Sequence, residues 1–173
     1  VKGTATLTFT HKEGSDDQWL YLPAIARVKR ISSDNKSGPF MGSEFAFEDL
    51  SSFEVEKYSY KYLRDEVVNG EDTYVIESEP VDKYSGYTKQ INWIDKAHYR
   101  PLKVEFYDRK GSLLKTLTFS DYKLYLDKYW RADKMSMVNN QTGKSTDFIT
   151  KELTFKTGLR DKDFNKATLK RAK

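Results

Sequence analysis

Apolar and polar residues alternate with a period of two over residues 2–10, with Ala5, Leu7 and Phe9 on one side and Thr4, Thr6, Thr8 and Thr10 on the other. This predicts a half-buried strand. After a polar turn at 11–17 containing Gly14, strands are expected at 19–22 and, past Pro23, at 27–31. The three should pair as an antiparallel meander. A strand over 56–68 carries the ladder Tyr58, Tyr60, Tyr62, suited to a pleated surface with one aromatic face. Asn69-Gly70 is a strong hairpin signal and leads into a strand at 73–79. Further strands are expected at 87–94, 102–107, 113–122, 129–138 and 146–156, with a hairpin at Asp108-Arg109-Lys110-Gly111 and a turn at 139–143. About ten strands with closely spaced turns predict a sheet that curls into a sandwich or barrel.

Two stretches break the alternation. In residues 161–172, Phe164, Ala167 and Leu169 fall at near-helical spacing, which predicts a short amphipathic helix. A second short helix or irregular turn is expected at 48–55, with Ser51 or Ser52 as its N-cap. Residues 19–50 are the most unusual part of the chain: a basic strand is followed by a non-repetitive segment that brings Phe40, Met41, Phe45 and Phe47 together around Gly42. Exposing such side chains costs about 1.5–3 kcal/mol each. The segment therefore packs into a core or borders a cavity.

The length of 173 residues suits one domain, residues 1–173. The 12 Tyr, 10 Phe and 3 Trp exclude a disordered chain. With no cysteine there is no disulfide framework, thiol nucleophile or thiolate metal site. The 30 basic and 26 acidic residues are interspersed, giving a net charge of +4 on a solvated surface. No apolar run approaches the roughly 18 residues of a membrane helix. The chain starts at Val1 within an alternating pattern, which reads as a trimmed fragment or mature form.

Motifs for catalysis are weak. Gly143-Lys144-Ser145 resembles the end of a phosphate-binding loop, but Val138 stands where that loop needs glycine and a strand follows. His11 and His98 lie in separate turns without a second metal-ligand partner. Adjacent carboxylates such as Asp65-Glu66 point to opposite faces of a strand and do not act on one bond. The basic residues Arg27, Lys29 and Arg30 split between two strand faces and lack a nucleic-acid-binding motif. No catalytic residue, metal ligand or cofactor is assigned, and the chain is read as non-enzymatic.

The runs Trp19-Leu20-Tyr21-Leu22-Pro23, Arg27-Val28-Lys29-Arg30-Ile31, Gly38-Pro39-Phe40-Met41-Gly42-Ser43 and Phe47-Glu48-Asp49-Leu50 resemble, in order and spacing, the LolA-like outer-membrane lipoprotein-sorting protein family. Tyr99-Arg100-Pro101-Leu102 and Phe106-Tyr107-Asp108 add weaker support. The resemblance implies a mainly β fold: a strongly curved antiparallel sheet, or half-open barrel, with one or two short helices and an apolar concave face. It further implies a periplasmic or outer-membrane-associated carrier of lipid, lipoprotein acyl chains or another apolar ligand. Leu20, Leu22, Val28, Phe40, Met41, Phe45 and Phe47 are the expected cavity or lid residues, with Arg27 and Arg30 at the rim. Expected partners are the acyl chains and a membrane transporter, with no nucleic acid and a monomeric state. The alternative is an envelope module that docks to a lipid-exporting transporter without carrying cargo.

Overall fold

The computed structural model describes residues 2–171. Three strands near the N-terminus, β1 (Ala5–Phe9), β2 (Asp17–Leu22) and β3 (Arg27–Ile31), form the expected antiparallel meander. Alternation puts Leu7 and Trp19 on one face, where they bury against Leu169 with Ala5, Tyr21 and Val28 alongside. Leu169 belongs to α1 (Lys166–Leu169), a single turn whose N-cap Asn165 accepts from the N–H groups of Ala167 and Thr168. The predicted amphipathic helix is thus cut to a 3-10 turn at Asp161–Asp163 and one α-turn. Phe164 stays 49% exposed and only Leu169 is buried, too little apolar contact to propagate a longer helix. Ala172, its expected end, lies outside the described residues.

The other strands form one seven-stranded antiparallel sheet: β4 (Tyr58–Val68), β5 (Glu71–Pro80), β6 (Tyr87–Asp95), β7 (Pro101–Asp108), β8 (Leu113–Tyr125), β9 (Tyr129–Asn139) and β10 (Ser145–Ile149). Each pairs only with its neighbours in sequence, and β4 and β10 remain as edges. The expected half-open sheet is present, and it does not close into a barrel. Asn69 and Gly70 both take positive φ, 52° and 85°, as the tight turn between β4 and β5 requires. Register shifts near Leu63, Thr88 and the ends of β6 and β7 bend the sheet. β10 is shorter than the predicted strand at 146–156. After Thr150 donates to the Asp133 carbonyl the chain leaves the ladder, and Phe155 stacks flat on Tyr129 at 5.3 Å.

The two faces of this sheet are filled differently. On the outer face Val75, Ile91 and Trp93 pack with Leu63, Val68 and Tyr107, and the Lys103 ammonium lies 3.5 Å from the Trp93 ring centre. On the inner face Tyr87, Val104, Phe106, Leu117 and Met137 form the main core, completed by Phe45 from the segment that crosses over them.

Candidate ligand-binding cavity

The crossing segment, residues 38–50, is a lid built from a short ladder and a 3-10 turn. Pro39 and Ala46 form an isolated bridge, and the Phe40 N–H donates to the Phe45 carbonyl at 2.7 Å. At the tip Met41 and Gly42 take φ of 52° and 74°. Glycine relieves one of these two left-handed positions. The chain then closes into the 3-10 helix Phe47–Leu50 and a second one at Val55–Lys57. Neither Ser51 nor Ser52 is an N-cap: Ser51 closes the first 3-10 helix as its C-cap, and the second helix starts from Glu54.

Polar side chains clasp the lid to the sheet. Glu48 accepts from the Ser85 hydroxyl and the Gly86 N–H, both at 2.8 Å. Asp49 accepts from the Tyr87 hydroxyl at 2.7 Å, the Lys115 ammonium at 2.6 Å and the Ala46 N–H at 2.6 Å. Lys36 pairs with Asp82 at 2.6 Å, and Asn139 donates to Glu44 at 2.8 Å. Burial raises the Glu48 carboxyl above its ordinary value, despite its two hydrogen bonds. Burial, and then the Asp49 charge, lift the Tyr87 phenol well above 10.

Beside this clasp a cavity of about 440 Å³ remains. Its apolar floor comes from Ile94, Val104, Phe106, Leu117 and Phe119 on β6, β7 and β8. Phe53 and Tyr58 stand at its mouth with their rings stacked at 4.9 Å. Gln90 and Asn92 interrupt the floor, and Glu48, Asp49, Lys36 and Lys57 form the polar end. Burial pushes the Tyr58 hydroxyl up to about 12, so it is a neutral donor at physiological pH. Among the described residues no cluster of three His, Asp or Glu is arranged to hold a metal ion. No described helix is long and apolar enough to cross a membrane.

None of the seven apolar residues singled out in the sequence borders this cavity. Phe40, Phe45 and Phe47 lie in the lid, with Phe40 and Phe47 edge to face at 5.5 Å and Phe45 embedded in the inner core. Met41 is 38% exposed at the lid tip. Val28 packs in the three-stranded sheet, and Leu22 ends β2 half-buried. Leu20 is buried on the same side of β2 as Gln18, whose amide donates to the Phe47 carbonyl at 3.4 Å. Arg27 is exposed, and Arg30 is bound to Asp17 at 2.5 Å, away from the cavity.

The residues that do build the site left a fainter signal. On β8, Lys115 is in phase with Leu117 and Phe119, so alternation sends a lysine inward. An inward charge announces a buried partner. Gln90 and Asn92 are similarly in phase with Ile94 on β6.

The match to known structures extends over this whole arrangement. A candidate outer membrane lipoprotein-sorting protein domain from Vibrio parahaemolyticus is 70% identical and superposes with a TM-score of 0.96, over 99% of this chain and 73% of that one. The chain belongs to the LolA-like outer-membrane lipoprotein-sorting protein family. A DUF1329 family protein from Desulfovibrio piger shares 33% identity with a TM-score of 0.90, over 98% of this chain and 72% of that one. A LolA superfamily protein from Nitrosomonas europaea, 21% identical, has the same fold with a TM-score of 0.62, over 95% of this chain and 88% of that one. A family profile described as an uncharacterized protein matches residues 1–171. No curated protein matches. This LolA-like domain therefore has the fold of lipoprotein-sorting proteins, with its lid held by the polar clasp.

Proposed function

We propose that this protein is a non-enzymatic carrier of the cell envelope, working in the periplasm, that holds an acyl chain or other apolar ligand between the inner sheet face and the lid. The observation that carries this reading is the cavity of about 440 Å³ with an apolar floor. Its volume falls in the roughly 300–1,000 Å³ range of small-molecule sites. Each methylene moved from water into it is favourable by about 0.8 kcal/mol, so an acyl chain needs no specific motif to bind.

In this reading Phe40, Phe45 and Phe47 act from behind, holding the lid above the cavity, while Leu20, Leu22 and Val28 brace the three-stranded sheet. The lipoprotein-sorting name of the Vibrio parahaemolyticus relative agrees with acyl chains as cargo. The test is native mass spectrometry of gently purified protein, together with uptake of an environment-sensitive fatty-acyl probe. Co-purified lipid and saturable uptake are expected. An empty protein that takes up no probe overturns the carrier and leaves the docking module.

A further inference from the structure

The cavity is not uniformly apolar, and its polar groups are specific. Gln90 is only 7% exposed and borders the cavity from the middle of β6. Its amide interacts with the Tyr58 oxygen, a contact that opposes the rise of the phenol, and its carbonyl oxygen is left as an acceptor. Asn92 spends both amide hydrogens on the Ile76 carbonyl and the Ser78 hydroxyl, at 3.3 and 3.0 Å, which leaves its carbonyl oxygen as an acceptor. The Tyr58 hydroxyl donates to no acceptor among the described residues. A saturated chain lying over these three groups would keep them from water without replacing its hydrogen bonds, a penalty carried by each unpaired group.

The charges at the cavity narrow the choice further. Its two lysines are already paired, Lys36 with Asp82 and Lys57 with Asp16. The Asp49 carboxylate is matched by Lys115, whereas Glu48 is held only by a hydroxyl and a backbone N–H. Among the described residues lining the cavity an anionic head group would find no free cation, and it would face the Glu48 carboxyl.

Resting on the carrier reading, we infer that the ligand is an uncharged acyl ester bearing a hydroxyl group, of the monoacylglycerol type. Its ester carbonyl accepts from Tyr58, its hydroxyl donates to the Asn92 or Gln90 carbonyl, and its chain lies over Val104, Phe106 and Leu117.

The experiment displaces a bound fluorescent fatty-acyl probe with three competitors of equal chain length: monopalmitoylglycerol, the hexadecyl ether of glycerol, and palmitate at a pH where it is ionised. The ester is expected to compete roughly tenfold better than either of the others, the scale of one well-made hydrogen bond in a dry site. Tyr58→Phe should erase the advantage of ester over ether. As a readout independent of affinity, the infrared band of a carbon-13-labelled ester carbonyl should shift to lower frequency on binding, and this shift should be absent in Tyr58→Phe. Equal competition by ester and ether, stronger competition by palmitate, or a band unaffected by Tyr58→Phe overturns the inference and leaves the carrier standing. A wild-type protein that takes up no probe overturns both.

Discussion

The Lys115 ammonium on β8 lies 2.6 Å from the Asp49 carboxylate of the lid, and the two side chains are only 5% and 1% exposed. An ion pair this deeply buried costs much of its attraction in lost hydration, so its effect is to fix geometry: it ties a lid residue to the sheet beside the cavity. Removing one partner strands the other charge. Lys115→Met is expected to lower the unfolding free energy by about 3–5 kcal/mol in urea denaturation, and Lys115→Met combined with Asp49→Asn should recover much of that loss. A double variant as unstable as the single one would show that the pair is not the tie.

Gly86, just before β6, lies close against Glu48 of the lid and against Ser37 at its approach. A Cβ built there would come within 2.7 Å of the Ser37 Cβ and 2.9 Å of Glu48 Oε1. Gly86→Ala should therefore destabilise by about 1–3 kcal/mol through overpacking. Ser37→Gly removes the carbon it strikes, and adding this second change should restore part of the stability. The check is the midpoint of chemical denaturation for the two variants; no rescue would place the strain elsewhere.

Ile94 is half-buried and borders the cavity. Ile94→Trp should fill part of the volume and weaken uptake of an acyl probe by roughly tenfold or more, since about two methylenes of lost burial already amount to more than 1.4 kcal/mol. Titration of the probe, with a thermal melt confirming that the variant folds, tests this. Undiminished uptake would mean that the chain lies in another part of the molecule.

Two carboxyls give opposite responses to pH. Burial raises the Glu48 carboxyl in the folded protein, so the folded state holds this proton more tightly than the unfolded one. Its contribution to stability is fully present below the ordinary value of 4.5 and is lost as pH rises through the raised value. Wild type should thus gain stability relative to Glu48→Gln as pH falls from neutral towards 4.5. Denaturation of both proteins across that range tests the sign, and the reverse trend would remove burial as the dominant influence.

Asp95 behaves the other way. Burial pushes its carboxyl up, but the Arg100 hydrogen bond at 2.6 Å and the His98 N–H at 2.6 Å outweigh this and hold it below the ordinary 3.8. Its contribution is present above 3.8 and is lost as pH falls through the lowered value. The Arg100 guanidinium is itself stacked between Tyr122 and Trp130, 5.0 and 4.7 Å from their ring centres. Asp95→Asn should cost about 3 kcal/mol at neutral pH, and the gap to wild type should narrow below pH 3.8. A gap that is constant with pH would exclude the charge as its cause.

The sequence by itself determined the strands, because the period of two and the turn residues act locally. The ladder beginning at Tyr58, the turn at Asn69-Gly70 and the hairpin at 108–111 follow from backbone preferences that distant residues do not alter. It also marked residues 19–50 as an apolar stretch that packs into a core or borders a cavity, and residues 38–50 of that stretch form the lid. The tertiary structure alone decided which part of the covered face is filled and which is hollow. Alternation gives the same inward assignment to Met137, 0% exposed in a packed core, and to Phe119, which borders open space. The difference arises where the lid, reaching from far along the chain, plugs one side with Phe45 and is held off the other by Glu48 and Asp49. That division rests on contacts between residues tens of positions apart, so no local pattern encodes it.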